Sequence, residues 1–196
     1  GHSYCFSCET HFKNGDLKVD TTVVPIKNTK QRLQNEITSE GKITPIADRK
    51  ITFDTAKFYG VKTQSEGTII KQHVYPYHDK EGNIVSNKYR NTATKEFWSR
   101  GDLENAGLFG QHLFPSGSAK FITICEGELD AMSCYEMHGS KWPSVSIKNG
   151  AQSALKNCKK EFEYLNKFET VVVCFDNDKA GKKAAREVAA LFEPNK

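Results

Sequence analysis

The second half of the chain alternates short apolar runs with longer stretches of helical periodicity. Three apolar runs, all rich in β-branched residues, predict strands over Phe121–Cys125, 145–147 and 170–175. Three segments with helical patterns follow them, over Glu128–Met137, 151–162 and 179–192. Strands that alternate with helices in this way predict a mostly parallel sheet with helices on both faces.

The first half has a different pattern. Thr52 is a suitable N-cap for a short helix that ends at Gly60. Two strand-like runs, 68–77 and 83–89, flank a polar turn with a glycine at its end and predict a β-hairpin. Residues 10–48 are polar and lack clear periodicity, so they predict mostly linker, with a short helix near 31–37.

Together these patterns predict an α/β fold whose N-terminal part is α+β. A small basic subdomain with a β-hairpin precedes a mostly parallel sheet flanked by helices. The predicted divisions are a remnant of a metal module, a linker, the basic subdomain and the α/β domain, at residues 1–9, 10–48, 49–116 and 117–196.

The net charge of +4 is unevenly distributed. Residues 49–100 hold ten basic and five acidic side chains, whereas the remainder is close to balance. Such a local excess suits a polyanion partner, although an ordinary solvated surface has the same signature. No apolar run reaches the length of a membrane span and no signal-peptide pattern is visible, so no membrane partner is expected.

Acidic residues directly follow two of the predicted strands. Glu126 follows the first, and Asp176 and Asp178 follow the third, so both groups should meet at one edge of the sheet. Converging carboxylates repel one another unless a cation compensates, and oxygen ligands favour Mg²⁺ or Mn²⁺. Glu128 and Asp130 lie in the first turn of the next helix, where capping and the helix dipole are an alternative explanation. An Asx turn is the alternative at residues 176–178.

These segments resemble the Toprim domain of bacterial-type primases, topoisomerases and some nucleases. The resemblance rests on a strand ending in Glu126-Gly127 and a strand ending in Asp176-Asn177-Asp178 before Ala180-Gly181. Residues 145–151 resemble the glycine-containing loop of the primase branch. With the hairpin residues Lys88-Tyr89-Arg90 and the N-terminal Cys5-Phe6-Ser7-Cys8, nearly the whole chain resembles the primase half of the bifunctional primase–helicases of T-odd phages, relatives of the mitochondrial Twinkle helicases.

The resemblance implies a DNA primase, a DNA-directed RNA polymerase that makes short RNA primers on single-stranded DNA by Mg-dependent nucleotidyl transfer during replication. It implies these catalytic residues: Glu126, Asp176 and Asp178. It implies these magnesium ligands: Glu126, Glu128, Asp130, Asp176 and Asp178. It implies these residues for binding nucleotide or template: Lys88, Arg90, Lys95, Lys148 and Gly150. The aromatic residues Tyr89, Phe97 and Trp98 are candidates for base stacking or for the core.

The resemblance also implies that Cys5 and Cys8 are the second half of a four-cysteine zinc ribbon. Two cysteines supply only half of a tetrahedral Zn²⁺ site, so zinc binding is expected of the parent protein. A further Toprim strand with another aspartate is expected beyond Lys196.

The expected partners are single-stranded DNA, ribonucleoside triphosphates, a replicative helicase and a replicative DNA polymerase. The resemblance implies that the helicase is part of the same polypeptide. The expected location is the cytoplasm of an infected bacterium, or a mitochondrion or plastid for an organellar homologue. Another Toprim enzyme, either a topoisomerase or a nuclease, and a non-catalytic Twinkle-like DNA-binding module are the alternatives.

Overall fold

The computed structural model describes residues 2–5, 10–13, 40–194 and 196, within two compact units, Gly1–Arg32 and Leu33–Lys196. In the first unit, strands β1 (His2–Cys5) and β2 (Thr10–Lys13) pair antiparallel. Strand β2 lies inside the predicted linker. Its four residues are held by backbone pairing, for which so short a run gives little sequence signal. The predicted helix at 31–37 lies outside the described residues.

The second unit begins with helix α1 (Phe53–Tyr59) and a four-stranded antiparallel sheet. Thr52 accepts a hydrogen bond from the backbone N–H of Thr55, and Gly60 ends the helix at φ +70°, so both predicted ends are confirmed. The strands lie in the order β3-β4-β5-β6, with bounds Lys62–Glu66, Ile69–His78, Ile84–Asn91 and Phe97–Gly101.

The predicted hairpin is strands β4 and β5. The carboxylate of Asp79 closes its turn, because Oδ1 accepts the backbone N–H groups of Glu81 and Asn83 at 3.0 and 2.8 Å. Strands β3 and β6 are not predicted by the pattern. They are short and largely polar or exposed, and pairing with the hairpin defines them.

Three parallel strands form a second sheet in the order β8-β7-β9, with bounds Ser144–Ser146, Phe121–Cys125 and Thr170–Cys174. The helices are α2 (Glu128–Met137), α3 (Ala154–Lys160), α4 (Phe162–Leu165) and α5 (Lys179–Ala189). The predicted helix over 151–162 is therefore wrong as one element. The helix is interrupted at Glu161, whose side chain is buried and accepts a hydrogen bond from Gln111 at 2.9 Å.

A shared aromatic core joins the two sheets of the second unit. Tyr59, Tyr75, Tyr77 and Phe109 are almost fully buried. The Tyr59 hydroxyl donates to the carbonyl oxygen of Ser144 at 2.7 Å, and its ring stacks on Phe109. This core fixes the hairpin against the parallel sheet and so positions the cleft described below. Among the described residues, no helix has the length and apolar character that a membrane span requires.

Candidate active site

The carboxyl ends of β7 and β9 form one wall of an open cleft. These strands pair in register, with Cys125 opposite Cys174, so Glu126 and Asp176 follow neighbouring strand ends as predicted. The cleft has a volume of about 520 Å³. It is lined by Lys88, Phe97, Glu126, Gly127, Glu128, Asp130, Asn149, Gly150 and Asp176.

The carboxylate of Glu126 is oriented by the backbones of two loops. Its Oε1 accepts the N–H of Ala151 at 3.1 Å, and its Oε2 accepts the N–H of Asp176 at 3.3 Å. Gly150 precedes Ala151 with φ +68°, a conformation that glycine adopts without strain. Gly150 thus contributes backbone geometry that brings the amide of Ala151 to the carboxylate.

Asp130 lies in the first turn of α2 and faces the same cleft. Desolvation raises the pKa of Asp130 above its ordinary value, and the negative charge of Asp176 raises it further. A bond from the backbone N–H of Gly127 acts in the opposite direction. The two carboxylates of Asp130 and Asp176 therefore repel each other, and a divalent cation bound between them would reduce this repulsion.

The donor set fits Mg²⁺ in kind, because Glu126, Asp130 and Asp176 offer carboxylate oxygens at the rim of an open cleft. In the described part of the chain, no three carboxylates place their oxygens within 4.8 Å of one another. Mg²⁺ usually keeps several waters and is held by only one or two carboxylates, so this spacing is compatible with the donor set.

Glu128 has a different environment from the other carboxylates. Its side chain is buried, and its Oε1 accepts both the Lys88 ammonium at 2.7 Å and the Tyr77 hydroxyl at 2.6 Å. Burial, and then the charge of Glu128, raise the pKa of Tyr77. Glu128, predicted as a magnesium ligand, is thus the buried counter-ion of Lys88.

Asp178 caps helix α5 rather than lining the cleft. Its Oδ1 accepts the N–H of Gly181 at 2.7 Å. A Cβ at Gly181 would lie 2.2 Å from the carbonyl oxygen of Asp176, so only glycine allows the helix to approach the end of β9 this closely. Close packing of α5 against the end of β9 therefore explains why a glycine stands at position 181, after the acidic motif.

The predicted cations fall in different places. Lys88 reaches the cleft, where its ammonium also donates to the carbonyl oxygen of Lys148 at 2.6 Å and lies 4.7 Å from the centre of the Phe97 ring. Arg90 is buried on the same face of β5, near Phe97. Lys95 lies in the β5–β6 turn at φ +62° and does not line the cleft.

Lys148 contributes its backbone, not its ammonium, to this site. Its Nζ donates to the carbonyl oxygens of Glu104 and Ala106 at 2.9 and 2.8 Å. Burial, followed by the charge of Lys160, lowers its pKa to about 8. Lys148 is not among the residues that line the cleft, so its role in nucleotide binding stays a prediction.

Two residues of the site carry little signal in the sequence. Tyr77, on strand β4, holds Glu128 from 51 positions away along the chain, and Asn149 lines the cleft between two predicted residues. Period-two alternation along β5 could have shown that Lys88 and Arg90 share a face. Of the zinc candidates, Cys5 ends β1 and Cys8 lies outside the described residues.

The similarity of this chain to known proteins indicates its class of protein. A Toprim-like family model matches residues 123–196, which contain the three parallel strands almost completely and the acidic edge. The whole chain is 32% identical over 201 residues to a DNA helicase/primase of Enterobacteria phage T3 and spans 35% of that protein's length.

Two solved structures agree with this match. The primase fragment of the bacteriophage T7 primase–helicase protein matches with a TM-score of 0.72 and 29% identity, over 100% of this chain and 79% of that one. A structure of bacteriophage T7 lagging-strand DNA polymerase with primase domains of two gp4 subunits, an RNA/DNA hybrid and dTTP matches at 34% identity and a TM-score of 0.69, over 78% and 76% of the two chains. The chain belongs to the family of phage primase–helicases and corresponds to their primase part.

Proposed function

We propose that this chain is a DNA primase, which joins ribonucleoside triphosphates into short RNA primers on single-stranded DNA during replication. The observation that carries the proposal is one cleft within a primase-family fold. In this cleft, Glu126 and Asp176 at the strand ends lie opposite Lys88, which is paired with the buried Glu128. Carboxylates for cations and a lysine for phosphates are the groups that phosphoryl transfer requires.

In this proposal, Glu126 and Asp176 hold Mg²⁺ with Asp130 beside them, and Asp178 acts from the N-cap of α5 as a more distant acidic residue. The metal supplies charge neutralisation at the transferring phosphate. Glu126 also accepts the proton of the primer 3′-hydroxyl as general base. Its fixed orientation supports both roles, since the backbone N–H groups of Ala151 and Asp176 hold the carboxylate.

Lys88 contacts a triphosphate or a template phosphate. An ammonium has three N–H groups, and the bonds to Glu128 and to the carbonyl oxygen of Lys148 occupy two of them. The third can reach into the cleft. Phe97, about 51% exposed, offers a ring on which a base can stack beside this charge.

The proposed partners follow from the same family. They are single-stranded DNA, ribonucleoside triphosphates, a helicase portion of the parent protein and a replicative DNA polymerase. Zn²⁺ bound through Cys5 and Cys8 with two further ligands belongs to the complete zinc ribbon. Since the matched relatives are phage proteins, the proposed location is the cytoplasm of an infected bacterium.

The proposal is tested with Glu126→Gln, which removes charge but keeps the shape of the side chain. We expect primer synthesis from ribonucleoside triphosphates to be abolished, while binding of single-stranded DNA, measured by fluorescence anisotropy without metal, stays nearly intact. Glu66→Gln, at an exposed glutamate on β3, is the matched control and should leave both unchanged.

Loss of template binding in Glu126→Gln would contradict the assignment of Glu126 as a metal ligand and base. The unmodified chain separates the alternatives. Relaxation or cleavage of DNA without primer synthesis would indicate another Toprim enzyme, and DNA binding without any Mg²⁺-dependent dinucleotide synthesis would indicate a non-catalytic module.

A further inference from the structure

Three cysteine thiols converge behind the acidic edge of the parallel sheet. Cys125 ends β7, Cys174 ends β9, and these two are register partners, so their side chains share one face of the sheet. Cys134 reaches them from helix α2. The three sulfur atoms all lie within 4.8 Å of one another, and across residues 40–194 no other set of three potential metal ligands meets this distance.

This spacing suits one metal ion bound by three sulfur atoms. Zn–S bonds are about 2.3 Å, which places the sulfurs of a tetrahedral site roughly 3.8 Å apart. The three thiols therefore need to move by no more than about 1 Å to coordinate one ion. A disulfide would use two of these sulfurs and leave the third, whereas the structure has all three as free thiols.

We propose that Cys125, Cys134 and Cys174 form a site for a thiophilic d¹⁰ cation of the Zn²⁺ and Cd²⁺ class. Each thiol releases its proton to solvent as its sulfur–metal bond forms, and water completes the coordination. Soft thiolates and hard carboxylates select different ions, so this site is chemically distinct from the oxygen-lined cleft. Cys174 is exposed and provides the route by which the ion enters.

An ion in this site would tie β7, β9 and α2 together directly behind the cleft. Cys125 immediately precedes Glu126, and Cys174 lies two positions before Asp176. The site would therefore stiffen the two strand ends that carry the candidate catalytic carboxylates. The site does not depend on primer synthesis, because the three sulfur positions alone define it.

The experiment titrates Cd²⁺ alone into the full chain carrying Cys5→Ser and Cys8→Ser, so that the N-terminal cysteines cannot contribute. We expect the ultraviolet charge-transfer band of cadmium–thiolate bonds to saturate at one ion per chain and to fall when Zn²⁺ is added. Cys134→Ser and Cys174→Ser should each remove most of this band. Cys158→Ser, at a buried cysteine outside the cluster, is the matched control and should keep it.

The proposal is overturned if the chain carrying only Cys5→Ser and Cys8→Ser shows no band. It is also overturned if the band remains in each of the two variants Cys134→Ser and Cys174→Ser, or if Cys158→Ser removes the band as fully as they do. Circular dichroism checks that each variant is folded. Cys174 is exposed, so Cys174→Ser decides the question even if Cys134→Ser does not fold. Because the band reports on sulfur–metal bonds, a failed primase assay would not affect this result.

Discussion

Replacing Glu128 by glutamine tests whether Lys88 is held in the cleft by a buried ion pair. The carboxylate and the ammonium are 2.7 Å apart, with side chains only 4% and 11% exposed. Removing one partner of a buried pair costs about 3–5 kcal/mol, because the other charge is left without compensation. Tyr77 and the carbonyl oxygen of Lys148 stay in place, so we expect the lower end, about 3 kcal/mol.

A loss of this size is measurable by thermal and urea unfolding. A domain of this length loses roughly 2–4 °C in Tm per kcal/mol, so Glu128→Gln should lower Tm by about 6–12 °C. Glu104→Gln is the matched control, because it removes an exposed pair with Lys156 at a similar distance of 2.9 Å. Exposed pairs contribute little, so its Tm should hardly change.

The double variant Lys88→Met/Glu128→Gln removes the uncompensated charge and should recover much of the lost stability. It should fold but make no primers, since Lys88 is absent from the cleft. Equal Tm losses in Glu128→Gln and Glu104→Gln, or a Tm of the double variant no higher than that of Glu128→Gln, would refute the buried-pair reasoning.

Three further predictions concern pH, backbone packing and the acidic set. Burial, and then the charge of Arg90, lower the pKa of His73 to about 4, below its ordinary 6.5, and its Nε2 has no hydrogen-bond partner among the described residues. The unfolded chain therefore binds a proton at His73 more readily than the folded chain does. The free energy of unfolding should be highest above pH 6.5 and should fall, by up to about 3 kcal/mol, as the pH drops through 4. Urea unfolding at several pH values should show a weaker pH dependence of this free energy in His73→Gln and an unchanged one in His138→Gln. Gly181→Ala forces a methyl group against the backbone and should cost several kcal/mol, about 3 or more, in urea unfolding; an unchanged midpoint would contradict the close approach of α5 to β9. Asp178→Asn keeps a capping side chain, so its Tm should stay nearly constant while primer synthesis falls, and unchanged synthesis would leave Asp178 as a cap only.

Much of the fold follows from local patterns. Phe121–Cys125 and Glu128–Met137 have the predicted bounds, because a β-branched apolar run and a helical repeat each encode one element. The predicted hairpin over β4 and β5 is confirmed for the same reason. Strand β6 is exposed along its whole length, so pairing with β5 defines it and no apolar alternation marks it.

The placement of acidic residues at strand ends was also predictable, since parallel topology brings those ends to one edge. The partners of individual side chains were not. Glu128 and Lys88 are 40 residues apart, and the sequence holds no local sign that they pair. Lys148 matches a basic position by motif, yet its ammonium binds two backbone carbonyls because the loop at 104–106 folds over it.

The two hydrogen bonds that orient Glu126 determine which substitutions its neighbours tolerate. Both donors to its carboxylate are backbone N–H groups, which every amino acid except proline supplies. A change of side chain at position 151 therefore leaves the donor in place, within the space that the half-buried Ala151 occupies against the core. Proline is the one replacement there that removes the donor itself.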